Sequence, residues 1–217
     1  MSLETFERLP ADRKELIIST GIEEFSRKAY KDSSTDEITR KCGISKGILF
    51  HYFGSKREYY LYCLARALEC LTANTEKTDE DRKDDFYGIL FGTMTRKLSV
   101  CRQHMEEMRM VNMASRDPSA EIADQKAELM RQYMINVHAE SSQTLKRALT
   151  SLKLTDAGME ELTADGLQLY INAVLHKYLL EYQQTPELFF ENSEKIREEM
   201  KKYLDLMLYG ICQKEQK

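Results

Sequence analysis

Apolar residues recur along this chain at the three-to-four spacing of helices, and no stretch alternates as a half-buried strand would. Ile18, Ile22, Phe25 and Ala29 share one side of a segment whose other side is charged, which predicts a helix from about Asp12 to Tyr30. Asp12 falls in its first turn, where negative charge suits the helix dipole. Ser34-Thr35-Asp36-Glu37 has the form of a capping box, with Ser34 reaching forward and Glu37 reaching back, and it opens a short helix that ends near Cys42. Gly43 can take the left-handed conformation of a tight turn. Ser45 then caps a second short helix to about Tyr52, and after Gly54 a second capping box, Ser55-Lys56-Arg57-Glu58, opens a long helix to about Thr75. The charged segment 75–85 has no core pattern. Further helices are predicted over 82–100, 102–114, 118–151, 156–183 and 187–213, with Pro118 and Pro186 at first helical positions behind the caps Asp117 and Thr185. The pattern predicts an all-α chain: a head of residues 1–60 and a larger helical domain of 61–217.

Composition changes this picture little. A length of 217 residues is enough to bury a core without disulfide or metal staples. Net charge is −4, unevenly placed: residues 1–60 hold 11 Lys/Arg against 10 Asp/Glu, the rest 21 against 26. That small basic excess points to nucleic acid only if the cations share a face. The five cysteines, Cys42, Cys63, Cys70, Cys101 and Cys212, are odd in number and argue for a reducing compartment. The N-terminus lacks a signal pattern and no apolar run approaches the roughly 18 residues of a bilayer span, so a cytoplasmic protein without a membrane partner is expected.

The segment from Thr35 to Lys56 carries the chemistry. Two short helices joined by a Gly-containing turn make a helix-turn-helix, with Ile38, Ile44, Leu49 and Phe53 as its shared core. Ser45, Lys46, Gly47, Ile48, Phe50, His51 and Tyr52 are left outside, a mixture of cation, hydroxyl, imidazole and aromatic groups suited to phosphates and base edges in a major groove. Singly, each would be an ordinary surface or core residue.

The run Ile38-Thr39-Arg40-Lys41-Cys42-Gly43-Ile44-Ser45-Lys46-Gly47-Ile48-Leu49-Phe50-His51-Tyr52-Phe53-Gly54-Ser55-Lys56 resembles the signature of the tetracycline-repressor (TetR) family, and the likeness covers about residues 12–65. The resemblance implies a repressor that binds double-stranded operator DNA as a homodimer. It implies a phosphate contact for Thr35, a phosphate at the recognition-helix start for Ser45, Lys46 and Gly47, contacts to phosphate, sugar and bases for Phe50, His51 and Tyr52, and a phosphate held by Lys56. Thr39 and Cys42 stand where alanines are usual, and Phe50 where a Tyr is frequent. Ile48 occupies a variable position from which it could touch a thymine methyl group.

In the larger domain, the 156–183 segment is apolar on two sides. Leu162, Gly166, Leu169, Ala173 and Leu180 form one stripe; Leu167, Ile171, Leu175, Tyr178 and Tyr182 form another. The last helix repeats this habit, with Leu204 and Leu208 beside its main stripe. A helix apolar on two faces is covered twice, either within one core or by a second subunit. Leu167, Ile171, Leu175, Tyr178, Leu204 and Leu208 are the candidate dimer residues, and the resemblance implies a four-helix bundle there. Eight of the eleven methionines lie between Met94 and Met159. Methionine adapts to irregular shapes, so an apolar small-ligand pocket is expected around Met94, Met108, Met130, Met134 and Tyr170, with core filling as the alternative. Cys101, His104 and Glu107 share a helical spacing without a further ligand cluster, so neither a metal nor any cofactor is expected. No phosphate loop, nucleophile elbow or Cys-x-x-Cys occurs, so no enzyme is expected. Activation in place of repression, control by a protein partner, and a helical enzyme remain as alternatives.

Overall fold

The computed structural model describes residues 3–72, 85–152, 160–181 and 186–209, leaving aside the side chains of 160–164, 175, 176, 179, 180, 186 and 187. Every regular element among them is helical: α1 (Leu3–Glu7), α2 (Ala11–Arg27), α3 (Thr35–Cys42), α4 (Lys46–Phe53), α5 (Lys56–Thr72), α6 (Phe86–Gln103), α7 (Met105–Arg116), a 3-10 turn at Ala120–Ile122, α8 (Ala123–Leu149), α9 (Glu160–Glu181), α10 (Pro186–Glu191) and α11 (Ser193–Tyr209). The chain divides into two compact units, Met1–Thr75 with Ser99–Val137, and Glu76–Leu98 with His138–Lys217.

The first unit is built on an aromatic core. Phe25 meets Tyr59 and Tyr60 edge-on at 5.7 and 4.9 Å, and Tyr30 meets Tyr60 at 5.3 Å. The short helix α1 was not foreseen from the sequence. It is held by one fully buried residue, Phe6, whose ring lies 4.8 Å from Phe53 and 5.6 Å from Tyr62. Gly21 lets α5 approach α2: a Cβ there would stand 2.3 Å from the Tyr59 hydroxyl, which donates to the Ile17 carbonyl at 2.6 Å.

Three predicted boundaries move, each for a polar reason. The first long helix stops at Arg27 rather than Tyr30, because the Tyr30 N–H donates to the Asp117 carboxylate instead of the helix. Asp117 does not cap a helix with Pro118 at its first position. Its carboxylate also accepts the Ser119 N–H at 2.9 Å, so Asp117 ends α7 and the chain turns before α8 begins at Ala123. The predicted 187–213 helix is two, broken at Asn192, whose side-chain amide donates to the Leu188 carbonyl at 2.8 Å. Pro186 does open α10, while Thr185 lies outside the described residues.

The second unit has its own core, in which Phe86, Ile89, Phe91, Leu145, Leu149, Leu167, Ile171, Tyr178, Ile196, Met200 and Leu204 are buried. None of the described helices is long and apolar enough to cross a membrane.

Candidate nucleic-acid interface

The two short helices are fixed by local bonds that the sequence largely spells out. The Ser34 hydroxyl accepts the Glu37 N–H at 3.3 Å, the Ser45 hydroxyl the Ile48 N–H at 3.2 Å, and the Ser55 hydroxyl the Glu58 N–H at 3.1 Å. Gly43 sits at φ 61°, ψ 39°. Its N–H donates to Arg40 and that of Ile44 to Thr39, the paired bonds of a Schellman turn. Arg13 on α2 donates to the Gly43 carbonyl at 3.4 Å and pins this turn to the preceding helix.

The first capping box closes differently from its prediction. Glu37 does not reach back to Ser34. The Ser34 N–H donates at 2.9 Å to Glu24, a buried carboxylate on α2, and Lys28 bridges Glu24 and Glu37 at 3.0 and 2.9 Å. Glu37, drawn to Lys28, titrates below the ordinary carboxylate range. Sequence reasoning missed Glu24, because a lone Glu on an amphipathic helix reads as solvated.

Leu49 and Phe53 bury one side of α4. The opposite side presents Lys46, Gly47, Ile48 and His51 to solvent, with Ile48 42% exposed, while Phe50 and Tyr52 are half-buried against the core. The N–H groups of Lys46 and Gly47 lie at the helix start, where no intrahelical acceptor exists and an anion is favoured. Nothing internal requires a glycine at 47: a Cβ there would meet only the Ser45 hydroxyl, at 3.7 Å. Lys46 pairs with Asp36 at 3.1 Å, with both side chains exposed, a pair worth at most about 1 kcal/mol and readily exchanged for a phosphate.

Thr35 and Lys56 are placed less openly. Thr35 is buried in the first turn of α3. The Lys56 ammonium donates to the Ser33 carbonyl at 2.7 Å and the Lys31 carbonyl at 3.5 Å, and lies 4.8 Å from the centre of the Tyr30 ring. Burial pulls its pKa below the usual lysine value. Lys56 thus grips the loop before α3, and Asp117 grips the same loop from the end of α7 through Tyr30. Burial pushes the Asp117 carboxyl up, but hydrogen bonds from Ser119 and the Tyr30 N–H outweigh it and leave the pKa lowered.

Residues 17–63 match the model for "Bacterial regulatory proteins, tetR family". That match covers the helix-turn-helix and the parts of α2 and α5 that flank it, so this segment is a tetR-family one. The chain is similar to YuxN, an uncharacterized HTH-type transcriptional regulator of Bacillus subtilis (strain 168): 27% identical over 138 residues, which are 60% of this chain and 44% of that protein. It is similar also to the HTH-type transcriptional activator FasR of Mycolicibacterium smegmatis, 36% identical over 72 residues, 32% of each chain. The chain therefore spans less than half the length of these curated relatives. Its fold is shared with a TetR family transcriptional regulator from Chloroflexus aurantiacus J-10-FL (TM-score 0.57, 19% identity, 94% of each chain) and with a tetR-family regulator from Streptomyces coelicolor (TM-score 0.54, 20% identity, 87% of this chain and 78% of that one).

The other predicted site residues are divided between the two units. Met108, Met130 and Met134 belong to the first unit, Met130 half-buried against its core and Met134 56% exposed. Met94 and Tyr170 pack against the second unit's core, and the Tyr170 hydroxyl donates to the Tyr203 carbonyl at 3.2 Å. Of the predicted dimer residues, Leu167, Ile171, Tyr178 and Leu204 are buried in the second unit's own core, Leu208 is half-buried there, and the Leu175 side chain lies outside the described residues. The two stripes of α9 divide the other way: Leu169 is 71% exposed, and on α11 Tyr203, Leu206 and Met207 are exposed.

Proposed function

We propose that this chain is a transcriptional regulator that binds double-stranded operator DNA as a cytoplasmic homodimer, with residues 1–60 as the DNA-binding head and 61–217 sensing and dimerising. The observation that carries the reading is α4, a Ser45-capped helix whose Lys46, Gly47, Ile48 and His51 face outward while Leu49 and Phe53 hold it rigidly from behind. Two such helices, related by a two-fold axis, would enter successive major grooves about 34 Å apart on a pseudo-palindrome. Phosphates provide affinity; Ile48 and His51 provide choice of base. Ser45, Phe50 and Tyr52 set the helix start and its aromatic edge, and Thr35 supports the α3 start from below. Lys56 acts through the loop it holds, and any phosphate contact it makes is secondary to that.

The dimer face consistent with burial is Leu169 on α9 with Tyr203, Leu206 and Met207 on α11, flanked by Leu208. A small, largely apolar ligand, taken up near the half-buried Met94, Met108 or Met130, would release DNA by binding better to the wrong head spacing, and only to the extent of that difference in affinity. Repression is the simplest outcome of operator occupancy. The relative named as an activator favours activation as a second reading.

The test is a titration of the purified chain against DNA flanking its own gene, with excess non-specific competitor, repeated with His51→Ala and Lys46→Ala. Binding that survives competitor in the parent and weakens at least about tenfold in each variant supports the reading. Equal binding by all three proteins rejects it.

A further inference from the structure

Cys70 lies near the end of α5, and His104 and Glu107 lie at the corner where α6 gives way to α7, all within the first compact unit. One ligand atom from each, the Cys70 thiol sulfur, a His104 ring nitrogen and a Glu107 carboxylate oxygen, fall within 4.8 Å of one another. All three side chains are half-buried, open enough for an ion to enter and sheltered enough to favour its dehydration. His104 occupies the N-cap position of α7, yet its side chain makes no cap bond, and its Nδ1 stands 3.6 Å from a Glu107 carboxylate oxygen.

These separations suit a tetrahedral ion. With metal–sulfur, metal–nitrogen and metal–oxygen bonds of about 2.3, 2.0 and 2.1 Å, adjacent ligand atoms of a tetrahedron stand about 3.4–3.6 Å apart. The His104–Glu107 pair already stands close to that spacing at 3.6 Å, and the Cys70 sulfur, within 4.8 Å of both, needs to move by no more than about 1.5 Å. The donor set combines thiolate, imidazole and carboxylate, which matches zinc and its spectroscopic substitute cobalt; magnesium and calcium prefer oxygen alone.

We propose that Cys70, His104 and Glu107 form a binding site for a zinc-class divalent ion, with water as the fourth ligand, that clamps α5 to α7. The thiol loses its proton to solvent on binding. The sequence alone paired His104 and Glu107 with Cys101. The thiol that completes the group comes instead from another helix, 34 positions earlier than His104 in the chain. The consequence is mechanical. The helix that starts at Lys56 is joined at its far end to α7, and α7 is tied to α2 by the bond from Ser26 to Glu106 at 2.6 Å. An ion here stiffens the frame that holds α3 and α4.

The test uses the full-length chain, stripped with chelator and titrated with cobalt(II) alone. One equivalent is expected to give tetrahedral visible bands and a thiolate-to-cobalt charge-transfer band. Zinc at a hundredfold excess over its Kd is expected to raise the melting temperature by roughly 5 °C. Cys70→Ser should abolish the charge-transfer band, and His104→Ala and Glu107→Gln should each weaken cobalt binding at least tenfold. Cys101→Ser should leave the spectrum unchanged. Circular dichroism of each variant confirms that it is folded; His104 and Glu107 report independently should Cys70→Ser lose its fold. Absence of a charge-transfer band in the parent, its loss in Cys101→Ser, or its persistence in folded Cys70→Ser overturns the site.

Discussion

Replacing Asp117 by alanine removes an acceptor that ties the end of α7 to the loop before α3. Asp117 is 5% exposed, and its carboxylate takes the N–H groups of Tyr30 and Ser119, both of them buried residues. A hydrogen bond to a charged group is worth about 1.5–3 kcal/mol, and the orphaned donors cannot reach water freely, so Asp117→Ala should cost about 3–5 kcal/mol of stability. Asp117→Asn keeps one oxygen acceptor and should cost about half of that. The local assay is hydrogen exchange of the Tyr30 amide, whose protection should fall roughly hundred- to several-thousandfold, since each 1.4 kcal/mol is about tenfold. The pH dependence has a fixed sign. The folded carboxyl titrates below its unfolded value of about 3.9, so its contribution is complete above that pH and is lost as pH falls through the folded pKa. Parent and Asp117→Asn should therefore converge in acid. Tyr30 protection and a urea midpoint unchanged in Asp117→Ala would refute this account of the loop.

Four further outcomes are expected. Gly47→Ala should raise stability by about 0.5–1 kcal/mol, as a helical alanine does, yet lower operator affinity at least tenfold, which thermal melts and a DNA titration separate. Asp36→Asn frees Lys46 from its ion pair and should raise affinity for DNA a few-fold at low salt, an effect that fades as salt is added in the same titration. Gly21→Ala drives a methyl group into the Tyr59 hydroxyl and the Cys63 sulfur and should cost about 1–3 kcal/mol or more by urea denaturation. Leu169→Glu should leave the fold intact and give monomers by sedimentation, whereas Leu167→Ala, in the core, should cost about 2–5 kcal/mol without that specific effect on assembly.

The helix-turn-helix was legible because its determinants are local. Ser34, Gly43, Ser45 and Ser55 each act on residues within a turn of themselves, so the sequence carries both partners of each bond in order. What could not be read is what depends on a partner far along the chain. Glu24 serves Ser34 from another helix, and Asp117 takes Tyr30 from a distance of 87 positions and thereby shortens α2 and undoes its own cap. Helix α1 exists through one buried Phe, not through periodicity. The two stripes of α9 are equally apolar, so the sequence announced two covered faces without saying which one the chain covers itself; Leu167 inside and Leu169 outside settle that for the described residues. Methionines pack in both units, and the residue type alone does not say which of them line a ligand site, since the side chain that lines such sites also fills gaps.

The central claim is that α4 reads DNA from a two-fold pair of heads. The measurement that tests it most directly is selection of bound sequences by the full-length chain from a random duplex pool, followed by sequencing. The account predicts an enriched inverted repeat with half-site centres about one helical turn or a small multiple of it apart, and loss of enrichment at specific base positions in Ile48→Ala and His51→Ala. A pool that stays random through successive rounds, or one enriched identically by the parent and both variants, would contradict it.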